Sequence, residues 1–121
     1  MKQRILIVDD EKPLAMALEL KLTHEGFITK TVFNGVEAVK ILKSDYFDLV
    51  LLDLVMPQED GFKVLETIQN LKIKTPVIVS SNLSQEEDIN RAKALGAVDY
   101  FIKSDTTLAE IAKKVKEYLA Q

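Results

Sequence analysis

Four consecutive apolar residues, Leu49 to Leu52, stand between two aspartates, Asp48 and Asp53. A strand with no polar position cannot face water on either side, so it belongs in a sheet covered by helices on both faces, which is the habit of parallel strands joined by crossover helices. The run sits in "FDLVLLDLVMPQEDG", where Pro57 and Gly61 follow Asp53 closely and make the chain turn. An ionised carboxylate at the end of a core strand is costly unless something compensates it.

The rest of the chain keeps the same rhythm, short apolar runs alternating with amphipathic segments about a dozen residues long, as βα units do. Five strands fit: Arg4 to Val8, Ile28 to Val32, Leu49 to Leu52, Val77 to Ser80 and Val98 to Ile102. The second alternates polar and apolar residues and reads as a half-exposed edge strand, whereas the first and third belong in the middle. Five helices lie between and after them. Pro13 suits the first turn of the first, whose Leu14, Leu18 and Leu22 recur every fourth residue until Gly26. Ser84 with Glu87 forms a capping box for the fourth, closed by Gly96, and Asp105 or Thr106 caps the fifth. The fifth carries a full apolar stripe from Leu108 to Leu119; the fourth offers only Ile89, Ala92 and Leu95, so it is the helix held least firmly.

At 121 residues the chain is expected to be a single domain, residues 1–121, with no output domain after the fifth helix. A net charge of −3 leaves no basic footprint for direct nucleic-acid binding. With no cysteine and only His24, neither a disulfide framework nor a thiolate or paired-histidine zinc site is available. The apolar run Ile5 to Val8 is too short for a signal segment or a membrane span, so a soluble cytoplasmic protein is expected.

In a sheet wound this way the C-terminal ends of the strands gather at one edge, where ligands bind at the reversal of strand order. Those ends carry Asp9, Asp10 and Glu11, then Asp53, then Ser80, Ser81 and Asn82, then Lys103. Two like charges about 4 Å apart repel by roughly 4 kcal/mol at an effective dielectric of 20, and a divalent cation answers that. Mg²⁺ needs one or two carboxylates plus water and phosphate oxygens. Carboxylates, hydroxyl and ammonium around an open position suit phosphoryl chemistry, with Asp53 as the nucleophile.

These residues carry a resemblance over essentially the whole chain: "ILIVDDE" at the first strand, "DLVLLDLVMPQEDG" at the third, "PVIVSSN" at the fourth and "GAVDYFIKS" at the fifth. The chain resembles a response-regulator receiver domain of two-component signalling. The resemblance implies a doubly wound α/β fold with five parallel strands in the flavodoxin-like order 2-1-3-4-5 and five helices. It implies Asp53 as phosphoacceptor, fed from the phosphohistidine of a sensor histidine kinase or a phosphotransfer protein. Asp10, Asp53 and the carbonyl of Val55 would bind Mg²⁺, with Asp9 holding the ion through water. Ser81 would hydrogen-bond the phosphoryl group, Lys103 would pair with it, and Tyr100 would turn inward as the state changes. The surface of the fourth helix, fifth strand and fifth helix would then be remodelled for a downstream protein. The domain would catalyse its own modification without being a turnover enzyme, and neither nucleic acid nor membrane is implied as a direct partner.

Two positions depart from the family's pattern. Ser104 stands where a proline usually follows the lysine, leaving the peptide after Lys103 either trans or cis at a cost of about 2.5 to 4 kcal/mol. Asn82 stands where a small residue usually follows the hydroxyl, so its amide either narrows access to the acceptor or hydrogen-bonds the phosphoryl group. An Asp-nucleophile phosphatase of the haloacid-dehalogenase type wants a second Asp two residues after the first, where this chain has Val55, and a flavin carrier wants a phosphate-cradling loop where this chain has "DDEKP". A degenerate receiver, acting only as an interaction module, lacks some of the side chains that are all present here.

Overall fold

A computed structural model describes residues 2–56 and 60–120. The elements run β1 (Arg4–Val8), α1 (Lys12–His24), β2 (Ile28–Val32), α2 (Gly35–Ser44), β3 (Leu49–Leu52), α3 (Gly61–Asn70), β4 (Val77–Ser81), α4 (Glu86–Ala94), β5 (Asp99–Ile102), a 3-10 turn (Lys103–Asp105) and α5 (Leu108–Leu119). All neighbouring strands pair in parallel, in the order β2-β1-β3-β4-β5. The alternating strand is indeed the edge, and β1 and β3 lie inside. β4 extends one residue further than expected, to Ser81, and β5 starts one later, at Asp99.

Side chains alternate across a strand, so each apolar run feeds two cores. Leu6, Val8, Val50, Leu52, Val77 and Val79 pack under α2, α3 and α4. Ile5, Ile7, Leu49, Leu51 and Ile78 pack under α1 and α5. All four residues of β3 are buried, which is what their uniform composition demands. At about 2 kcal/mol for each fully buried aliphatic side chain, this double covering is the main reason the strand stays in the middle.

The ends of the helices settle the local expectations. Pro13 is in the first turn of α1, and Gly26 and Gly96 follow α1 and α4 with φ of 100° and 107°. α5, however, is capped by Thr107 rather than Asp105 or Thr106, in a reciprocal box with Glu110. Asp105 is taken up in the 3-10 turn, and the Thr106 hydroxyl donates to the Ile102 carbonyl at 2.9 Å. The Ser84–Glu87 box does not form either. α4 begins at Glu86 with Gln85 as its cap and no side-chain cap bond, which puts Glu87 at the second helical position instead of the third and leaves Ser84 outside. Three acidic residues in the first turn, Glu86, Glu87 and Asp88, compensate by facing the positive end of the helix dipole.

Ala92 is the one buried residue of α4, as its thin stripe predicts, and the Arg91 guanidinium lies 4.2 Å from the centre of the Phe62 ring on α3. Pro57, expected in the turn after β3, lies outside the described residues. The turn's other marker does its work by size: a Cβ on Gly61 would stand 2.4 Å from the Leu54 Cα and 2.7 Å from the Asp53 carbonyl oxygen. Only glycine lets α3 start directly against the backbone of Asp53, where the Gly61 N–H donates to the Leu54 carbonyl at 2.9 Å.

Candidate functional site

Register brings the acidic strand ends to one level. Val8 is paired with both Val32 and Leu52, so the next residues, Asp9 and Asp53, emerge side by side between β1 and β3, where the strand order reverses. The Asp53 N–H donates to the Val8 carbonyl at 2.9 Å, and Asp9 and Asp53 are only 3% and 4% exposed.

Each buried carboxylate is held by the same two devices. One oxygen accepts a backbone N–H two residues on: Glu11 to Asp9 Oδ1 at 2.9 Å, Val55 to Asp53 Oδ1 at 3.1 Å. The other faces Lys103, whose Nζ lies 2.8 Å from Asp9 Oδ2 and 3.3 Å from Asp53 Oδ2, with Glu11 Oε1 at 3.6 Å. Lys103 is therefore not a solvated surface lysine; its side chain is nearly as hidden as Asp9 and Asp53, whereas Glu11 is half exposed.

Burial pushes the Asp53 carboxyl up to about 6, against the pull of the Lys103 ammonium and the Val55 N–H. Asp9 is raised for the same reason, against its bonds to Lys103 and to the Glu11 N–H. Burial alone would favour neutral Lys103, but its bond to Asp9 and the charges of Asp53, Asp9 and Glu11 outweigh that and hold its pKa above the usual value. The cluster is thus in tension: one ammonium cannot neutralise the carboxylates around it, and desolvation resists their ionisation.

Asp9, Asp10 and Asp53 each offer a carboxylate oxygen within 4.8 Å of the others. Hard anionic oxygens at that mutual spacing fit Mg²⁺, and His24, in the last turn of α1, is not among them. Val55 is exposed on its side chain and lines the cavity next to the cluster, about 290 Å³ in volume, together with Asp10, Glu11, Asp53, Asn82, Leu83 and Lys103.

Ser81 and Tyr100 meet on the neighbouring side. The Ser81 side chain is fully buried, its Oγ accepting the Leu83 N–H at 3.2 Å, while the Tyr100 hydroxyl donates to the Leu83 carbonyl at 2.7 Å. Both switch candidates are therefore fastened to one residue of the β4–α4 loop, and Tyr100 is partly buried against the α2–α3–α4 core. Burial raises the Tyr100 phenol's pKa, against the pull of the nearby Ser81 hydroxyl. Ser80, also at this strand end, is buried but lies one residue out of phase with Ser81 and faces the α1–α5 side, where its Oγ has no partner among the described residues.

The peptide after Lys103 is trans, which settles one departure without the cost of a cis bond. At the other, the Asn82 side-chain oxygen accepts the Ser104 N–H at 3.0 Å. Sequence reasoning missed this partnership and the two backbone N–H groups that orient Asp9 and Asp53. Main-chain donors leave no trace in residue type, and Asn82 and Ser104 are far apart in the chain.

A family model described as the response regulator receiver domain matches residues 5–116. The chain is 36% identical over 100 residues to the cell cycle response regulator CtrA of Brucella ovis, covering 83% of this chain but 43% of that protein. It thus spans less than half the length of the curated relatives it matches. The Francisella response regulator 1452 receiver domain superposes with a TM-score of 0.92 at 28% identity, covering 98% of each chain. A DrrB receiver domain in its BeF3-activated form gives 0.89 at 26% identity over the full length of both.

Proposed function

Since the chain belongs to the response regulator receiver domain family, we propose that it is a phosphorylation switch whose acceptor is Asp53. The observation that carries the reading is the setting of that carboxylate: one oxygen is fixed by the Val55 N–H, the other faces Lys103, and the residue borders a cavity.

The phosphoryl donor is the phosphohistidine of a sensor histidine kinase or a phosphotransfer protein. An oxygen of Asp53 attacks phosphorus in line with the departing nitrogen; the P–N bond breaks, its electron pair stays on the imidazole, which takes up a proton, and an acyl phosphate results. Lys103 pairs with the incoming anion and remains bonded to Asp9, so it need not be reoriented during transfer. Ser81 donates its hydroxyl hydrogen to a phosphoryl oxygen. Asp9, Asp10, Asp53 and the Val55 carbonyl would hold Mg²⁺, which supplies positive charge to the carboxylates and to the transferring phosphoryl oxygens. The chain promotes its own modification and decay in this way and is not a turnover enzyme.

The output surface is the α4–β5–α5 face. α4 is held by one buried alanine and a cation–π contact, so shifting it takes little free energy, and Tyr100 links it through Leu83 to Ser81. A downstream protein reads that face; neither nucleic acid nor membrane is a direct partner of this domain. No helix among the described residues is long and apolar enough to cross a membrane, in keeping with a cytoplasmic site of action.

Incubation with a small phosphodonor and Mg²⁺ should add one phosphoryl mass to the chain, and Asp53→Asn should abolish it without unfolding. Equal labelling of the variant would remove Asp53 from the role, and no labelling of a parent that binds Mg²⁺ would leave an interaction module only.

A further inference from the structure

Ser81 ends β4 and Lys103 directly follows the adjacent β5, and the residues after them are joined by one hydrogen bond, from the Ser104 N–H to Asn82 Oδ1 at 3.0 Å. A backbone N–H can only donate, so the Asn82 atom that faces it must be the carbonyl oxygen. That removes the usual ambiguity between the two ends of a side-chain amide. The Nδ2 end is then directed away from Ser104, and no acceptor among the described residues takes its hydrogens. Asn82 also lines the cavity that Asp53 and Lys103 border. A proline after Lys103 would have no N–H and could not make this bond, so the two departures from the family's pattern are partners in one contact.

We propose that Asn82 is a phosphoryl-binding residue, oriented by the Ser104 N–H so that its Nδ2 donates to a terminal oxygen of the group on Asp53. The inference rests on Asp53 being the acceptor. The chemistry matches: an acyl phosphate presents three terminal oxygens, and a neutral donor adds a charge-assisted hydrogen bond without competing with Lys103 for Asp9. Ser104 acts through Asn82 and is a positioning residue.

Beryllofluoride, whose fluorines stand in for the phosphoryl oxygens, tests this on the whole chain at saturating Mg²⁺. In the parent, ¹H–¹⁹F cross-relaxation should connect the Asn82 amide protons to the bound fluorines. Asn82→Ala, an exposed position, should fold normally, keep its Mg²⁺ affinity and bind beryllofluoride about tenfold more weakly, the equivalent of about 1.4 kcal/mol. A variant that binds within twofold of the parent, or a saturated parent without the cross-peak, overturns the assignment while leaving Asp53 as acceptor. A parent that takes up no beryllofluoride overturns both.

Discussion

Replacing Asp53 with Asn should stabilise the metal-free protein at neutral pH, and by an amount that depends on pH. The distance from the ordinary carboxyl value of 3.8 to about 6, at about 1.4 kcal/mol per pH unit, puts the cost of ionising Asp53 inside the fold at about 3 kcal/mol. Some of this is returned, because Lys103 loses one of its two close carboxylates, though Asp9 stays 2.8 Å away. A net gain of about 1 to 3 kcal/mol remains. The amide oxygen still accepts the Val55 N–H, while Nδ2 replaces the oxygen that faced Lys103 and, being a donor, leaves that ammonium to Asp9. Between pH 4 and pH 6 the folded parent binds more protons at Asp53 than the unfolded chain does, so its stability falls as pH rises through that window. The variant lacks this loss; its advantage should be near zero at pH 4 and complete by pH 7.5. For a chain of 121 residues, about 1 kcal/mol corresponds to about 4 °C in Tm, so the melting temperature in chelator should rise by about 4 to 12 °C at pH 7.5. Calorimetry of both proteins from pH 4 to 8 measures it. A gain of the same size at pH 4 and pH 7.5, or a loss at pH 7.5, would refute the reasoning.

Lys103→Met should do the opposite, lowering metal-free stability at pH 7.5 by about 3 to 5 kcal/mol, because it leaves Asp9 and Asp53 facing each other without a cation. Mg²⁺ should restore most of that, and thermal melts with and without the ion decide it; a loss insensitive to Mg²⁺ would mean that Lys103 acts by packing alone. Asp10→Asn should weaken Mg²⁺-dependent stabilisation at least tenfold in concentration, read as the midpoint of Tm against Mg²⁺; an unmoved midpoint removes Asp10 as a ligand. The cavity beside Asp53 is flanked by Val55 and Leu83, which offer an attacking water no hydrogen bond. The acyl phosphate should therefore be long-lived, and Val55→Asn with Leu83→Glu should speed loss of label severalfold at little change in Mg²⁺ affinity, which timed mass spectrometry after removal of the donor will test.

The strands, their parallel pairing and the edge position of β2 were legible because burial on one face or two is written directly into the spacing of apolar residues along four or five positions. The acidic strand ends were legible for the same reason: once strands are placed, the residue after each one is fixed, and Asp9, Asp53, Ser81 and Lys103 follow. Helix caps were read less well. Thr107 rather than Asp105, and no side-chain cap at Ser84, depend on where the chain enters the helix, and a shift of one residue changes which hydroxyl reaches which N–H. What only the tertiary structure decided is how the charges are balanced: that Lys103 is buried between Asp9 and Asp53, that the Asp53 carboxyl is pushed up by desolvation, and that Asn82 holds the backbone after Lys103. Local pattern records the periodicity of burial, whereas electrostatic compensation and main-chain hydrogen bonds act between groups that meet only after the sheet has assembled.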